Sequence, residues 1–144
     1  MPHKKPHKLT PYGMDMTIRR GTVYYFRHST SPHPHYFIVV NANPQGDKLL
    51  LLTIVTSKVD NLKEMRASHP QTVVEIGPED YSELSVPSAV DCFKVREESK
   101  AELIAKINEQ FKRHHDDMPE AIVARIVTAV KGSPGVSNDQ RKLL

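Results

Sequence analysis

The chain has a single cysteine, Cys92. One thiol cannot close an internal disulfide or supply a cysteine-rich zinc site, and its isolation fits a reducing, cytoplasmic location. Long apolar runs are also missing: none approaches the roughly eighteen residues of a membrane span, so no membrane partner is expected. The opening MPHKKPHKL carries charge with no apolar stretch behind it, and no signal peptide is read. Glycine is scarce, six residues against eleven prolines. The sequence contains no GxxxxGK[ST], GxGxxG, HExxH or GxSxG pattern. The usual nucleotide-binding, metalloprotease and hydrolase readings therefore lose their support.

What is present suffices for one domain of 144 residues. Hydrophobic residues make up 38% of the chain and charged residues 26%, enough for a packed core and against global disorder. The formal charge is +3, with eight histidines. That is compatible with a polyanionic partner but far from the charge density of a protein that coats DNA.

Residues 1–16, rich in His, Lys and Pro and without periodicity, read as a flexible basic arm. Residues 17–95 carry a series of short strands. TIRRGTVYYF is a strand with a bend at Gly21, and HYFIVVNAN is a nearly continuous apolar run that predicts a buried strand. PQGD is a turn, and KLLLLTIVTS its partner strand, so the two form a hairpin. Lys58 to Pro70 reads as a loop with a helical turn at LKEM; TVVEI is a short strand, EDYSEL one helical turn, and PSAVDCFKV the last strand. Short strands with no long helices between them predict a mainly β fold, an antiparallel barrel or strongly bent sheet, rather than a βαβ fold.

The period then switches. Residues 96–132 predict an appended helical hairpin. In its first helix Glu97 and Glu98 occupy the first turn and Leu103, Ile104, Ile107 and Phe111 share a face. Asp117 and Glu120 resemble a capping box around Pro119. Met118, Ile122, Val123, Ile126, Val127 and Val130 then form an apolar stripe that stops at Lys131-Gly132. Residues 133–144 read as a flexible tail.

Unusual polar residues gather around the first hairpin. Arg27, His28, Ser29, Thr30, Ser31, His33 and His35 lie in or beside a proline-containing loop, Thr56 and Ser57 end the third strand, and Asp91 interrupts the last one. Loops held by a rigid sheet are where sites are commonly built. A solvated loop, a hydroxyl-capped turn at Thr56 and Ser57, and a structural carboxylate at Asp91 are the plain alternatives. Cys92 reads as a small buried hydrophobe, and the HHDD run from His114 to Asp117 as a polar link with a cap.

The opening RG-x-V-x-x-F (Arg20, Gly21, Val23, Phe26), the apolar second strand from Tyr36, and the Thr56-Ser57 pair closing the third strand resemble the MazF/PemK-like toxin family of bacterial toxin–antitoxin systems. The resemblance covers roughly residues 18–95. It implies an SH3-like barrel that forms a homodimer, cleaves single-stranded RNA without a cofactor, and is neutralised by a cognate antitoxin protein. It places Thr56 and Ser57 at the active-site or RNA-contact position. Members carry a catalytic Arg, followed by Pro, just before the second strand; this chain reads SPHPHYF there, two imidazoles in place of a guanidinium.

Metal-free RNA cleavage needs a base for the 2′-OH proton, an acid for the leaving 5′-oxygen, and a donor for the charge developing on phosphorus. Histidine titrates near neutral pH, so His33 and His35 are the acid–base candidates. Arg27 and the Thr56 hydroxyl are candidates for the donor. Ser57, Arg20, Tyr25 and Lys58 are candidate RNA contacts, Tyr25 by stacking a base. Two rivals remain open: a barrel without catalysis that binds RNA or a protein, and a metal site built from His33, His35 and Asp91.

Overall fold

The computed structural model describes residues 13, 17–27, 32–109 and 114–144, without the side chains of 107–109 and 114–115. Apart from Gly13, the arm expected at 1–12 and 14–16 lies outside the described residues, as do His28 to Ser31 and Phe111.

The elements run β1 (Val23–Phe26), β2 (His35–Val39), β3 (Leu49–Thr56), α1 (Val59–Met65), a 3₁₀ turn (Pro70–Thr72), β4 (Val73–Ile76) and β5 (Ser88–Ser99). They continue with α2 (Lys100–Glu109), β6 (His114–His115), α3 (Glu120–Lys131) and α4 (Asn138–Arg141). The strands form one antiparallel sheet in the order β4-β5-β3-β2-β1-β6. Among the described residues its edges, β4 and β6, do not pair with each other, so the described sheet is open and does not show the expected closure into a barrel.

The predicted β2–β3 hairpin is present, and Asn41 holds its turn. The buried Asn41 amide donates to Asp47 and to the Leu49 carbonyl, and its oxygen accepts from Leu51 N–H at 2.7 Å. Gly21, at φ +96°, turns the chain into β1, a conformation that residues with a Cβ rarely adopt. Its carbonyl accepts from Met118 N–H, which ties the entry of α3 to the start of the sheet.

Both faces of the sheet are apolar, which is why HYFIVV reads as a continuous run rather than an alternating one. Val23, Ile38, Leu51, Val55, Val90 and Cys92 point to one face, where Ile122, Val123, Ile126, Val127 and Val130 of α3 cover them. Tyr24, Phe37, Val39, Leu50 and Leu52 point to the other, where they meet Leu103 and Ile104 of α2. Each fully buried aliphatic side chain contributes about 1.5–3 kcal/mol. The two helices therefore lie on opposite faces, which corrects the expected hairpin: two apolar faces each require a cover, and one helix pair packed together leaves one of them bare.

Several boundaries differ from expectation. β5 extends through Ser99, so Glu97 and Glu98 end a strand instead of opening a helix. Glu98 is buried and held by Arg96 Nε at 2.9 Å and Lys106 Nζ at 2.6 Å. Burial opposes its ionisation, but hydrogen bonds from Lys106 and Arg96, with their charges, outweigh that and hold the carboxyl below its ordinary value. The helical turn expected at LKEM is the seven-residue α1, whereas EDYSEL forms turns, with Asp80 accepting from Gly77 N–H. No capping box opens α3: Pro119 is its N-cap, and Asp117 bonds Arg19 instead. Residues 133–144 are packed, not free. Val136 and Leu144 are buried, Ser133 Oγ donates to the Phe93 carbonyl, and Ser137 and Gln140 form a capping box on α4. Among the described residues no helix is long and apolar enough to cross a membrane.

Candidate functional site

After Thr56 the chain leaves the sheet through Ser57 and Lys58 and folds back as α1 against β5 and β4. Between α1 and the sheet lies a pocket of about 540 Å³. Its floor is apolar: Phe37, Leu52 and Ile54 from the sheet, with Leu62 and Met65 from α1 and Val95 from β5. Met65 is 69% exposed, a large apolar side chain left to solvent at the pocket mouth. The rim is polar and mostly cationic, with Thr56, Lys58, Asn61, Arg66, Lys94 and Arg96 against one carboxylate, Asp91.

Asp91 sits on a buried stretch of β5, opposite Ile54 of β3. Arg66, which caps the C-terminus of α1, reaches it with Nε–Oδ1 at 3.1 Å and Nη2–Oδ2 at 2.8 Å. The guanidinium carbon lies 4.4 Å from the centroid of the Phe93 ring, on which His69 also stacks at 5.4 Å. Phe93 N–H donates to Asp91 Oδ1 at 3.1 Å. Asp91 is thus committed to Arg66, and Glu98 to Arg96 and Lys106. Lys58 and Lys94 are exposed and make no ion pair among the described residues. The pocket therefore combines an apolar floor with uncompensated positive charge, a combination suited to a nucleobase and its phosphates.

Of the residues singled out in the sequence, Thr56, Lys58 and Asp91 line this pocket. Thr56 Oγ1 also accepts from Lys58 N–H at 3.1 Å, which closes the turn into α1. His35 continues the Phe37↔Ile54 register toward the Thr56 end of β3 on the same face, with Nδ1 3.3 Å from the Val55 carbonyl. His33 and Ser57 are exposed and do not line the pocket. Arg27 is exposed just beyond Phe26, which pairs with His35. Tyr25 lies on the opposite face, its ring centroid 4.5 Å from that of Tyr36. Arg20 donates to the carbonyls of Val40, Asn41 and Leu144, and borders a second pocket of about 640 Å³ beside α3.

Among the described residues no three His, Cys, Asp or Glu side chains are grouped to hold a metal, so His33, His35 and Asp91 do not form the set considered above. Burial, with the charge of Asp91 beside it, pushes the Cys92 thiol well above its ordinary range, so it stays protonated. Sequence reasoning did not find Asn61, Arg66, Lys94 and Arg96. Only Asp91, a carboxylate in an apolar strand, signalled that a cation must fold onto it.

No family model matches the chain, and no curated protein matches it. Among solved structures it is similar to an endoribonuclease solved in complex with its cognate antitoxin from a mycobacterial species. The identity is 16%, the match covers 83% of this chain and 95% of that one, and the TM-score is 0.52. The chain thus shares the fold of that endoribonuclease, consistent with the MazF/PemK-like resemblance carried by Arg20, Gly21, Val23, Phe26, Thr56 and Ser57.

Proposed function

We propose that the protein is a toxin-like endoribonuclease that binds single-stranded RNA in the pocket between α1 and the sheet, works in the cytoplasm as a homodimer, and is neutralised by a cognate antitoxin. The observation that carries this reading is the pocket itself: Thr56 stands between an apolar floor and the unpaired cations Lys58 and Lys94. The likeness of fold to an endoribonuclease solved with its antitoxin supports it.

In the reaction the 2′-oxygen attacks phosphorus, the O2′–P bond forms and the P–O5′ bond breaks. The products are a 2′,3′-cyclic phosphate and a 5′-hydroxyl. His35, on the pocket's face near Thr56, serves as the base that takes the 2′-OH proton or as the acid that protonates the leaving oxygen, and His33 in the adjoining loop takes the other of these two roles, with Arg27 supplying charge. Ser57 extends the strand of contacts beyond Thr56, and Arg20 and Tyr25 contact RNA beyond the pocket.

The test is incubation of the protein with a long single-stranded RNA in EDTA, beside a folded His33→Ala/His35→Ala variant and Thr56→Ala. Cleavage by the wild type, reduced about 10²–10⁴-fold in the double variant, is the expected result. The second reading is a binding module, favoured by the position of His33 and Arg27 off the pocket lining. It predicts RNA shifted on a gel and never cut.

A further inference from the structure

The pocket holds a group that the reading above leaves unused. The Arg66 side chain is only 12% exposed, and it lines the pocket with Thr56, Lys58 and Lys94. A guanidinium carries five N–H donors. Two of them, Nε–H and one on Nη2, go to Asp91. The other side-chain donors have no partner among the described residues. Nη1 is not among the buried polar atoms left without a partner, so these donors open onto the pocket, where a ligand can meet them.

The guanidinium is also fixed in orientation. Asp91 holds it edge-on, the Phe93 ring lies 4.4 Å from its carbon, and Phe93 N–H in turn anchors Asp91. A carboxylate on the Nε/Nη2 edge leaves Nη1 and the outer Nη2–H directed away from it. That is a preset fork of the kind that matches two oxygens of one phosphate.

We propose that Arg66 is a catalytic residue that hydrogen-bonds the non-bridging oxygens of the scissile phosphate, with Asp91 and Phe93 as its positioning residues. The inference rests on the ribonuclease reading of this pocket. Arg66 neither gives nor takes a proton; the balance of the step is the one described above. Asp91 cancels its net charge, so ground-state attraction for phosphate is left to Lys58 and Lys94. The fixed donors act most strongly where negative charge grows on the non-bridging oxygens. Loss of Arg66 is therefore read in kcat, with KM nearly unchanged.

The experiment measures kcat and KM on a short single-stranded RNA containing a mapped cleavage site, for wild type, Arg66→Lys, Arg66→Ala and Asp91→Asn, each checked by circular dichroism and thermal melting. Arg66→Lys is expected to lower kcat about 10²–10³-fold, with KM within about threefold of wild type. Added guanidinium ion at millimolar concentration is expected to restore part of the Arg66→Ala activity. Asp91→Asn, which frees the fork, is expected to lower kcat about tenfold with KM unchanged or reduced. Arg66→Lys with a wild-type kcat, or with the loss confined to KM, overturns the inference while leaving the ribonuclease reading in place. Should Arg66→Lys not fold, an unchanged kcat in folded Asp91→Asn overturns the positioning it depends on. A wild-type protein that cuts no RNA overturns both.

Discussion

Arg66 and Asp91 are 25 residues apart in sequence and meet through two hydrogen bonds, at 3.1 and 2.8 Å, with side chains 12% and 7% exposed. A pair so withdrawn from water is worth less for its attraction than for what its rupture exposes. Asp91→Ala leaves a buried guanidinium without a counter-charge and is expected to destabilise the fold by about 3 kcal/mol. Asp91→Asn keeps an acceptor and is expected to cost clearly less. Urea unfolding midpoints compare the two, and equal losses contradict this account.

The unpaired lysines give a salt signature. Binding of single-stranded nucleic acid weakens with salt with a slope of about −0.7 per phosphate neutralised. Lys94→Ala is expected to make that slope shallower by about 0.7, measured by anisotropy with a labelled oligonucleotide between low and physiological salt. An unchanged slope places the bound phosphates elsewhere.

Glu98 sets an acid limit. Its carboxyl is held below the ordinary 4.5 in the folded state. The folded form then binds its proton less readily than the unfolded one, so the stabilisation is fully present above that ordinary value and fades as pH falls through the lowered one. Glu98→Gln is expected to be less stable than wild type by about 1–3 kcal/mol at neutral pH. The gap should narrow as pH falls below the ordinary carboxylate value. Denaturation across pH 3–7 measures it, and a gap that widens in acid reverses the sign.

Two glycines are expected to resist alanine for different reasons. At Gly21 the backbone is at φ +96° and a Cβ meets Val123 Cγ2 at 3.0 Å, so Gly21→Ala is strained twice. A loss of about 1–3 kcal/mol is expected. At Gly135 a Cβ meets the Phe93 carbonyl oxygen and, at 2.7 Å, its ring, so Gly135→Ala displaces the residue against which Arg66 is stacked. Melting temperature should fall in both, and kcat more in Gly135→Ala.

The strands were legible because VYYF, HYFIV and LLLLTIVT are dense in β-branched and aromatic residues and bounded by turn residues. The α3 stripe was legible by its period, and all five of its buried residues were named. Glu97 and Glu98 misled because adjacent acids before an amphipathic run are a helix-start signal. Glu98 is a strand residue through its pairing with Leu50 of β3, and Arg96 and Lys106 converge on its buried carboxylate there. The packed tail was missed because Val136 and Leu144 are isolated apolar residues that declare no period of their own.

Local pattern alone determined where five of the six described strands lie, that the second strand is buried on both sides, and that Thr56 and Ser57 close the third. Propensity, apolar period and turn chemistry act over a few residues, and those are written in order along the chain. Only the tertiary structure decided that the helices divide between the two faces, that the described sheet stays open, and that Arg66 lines the pocket. These depend on which apolar face needs a cover and which buried carboxylate needs a cation, and both conditions are met by residues far apart in sequence.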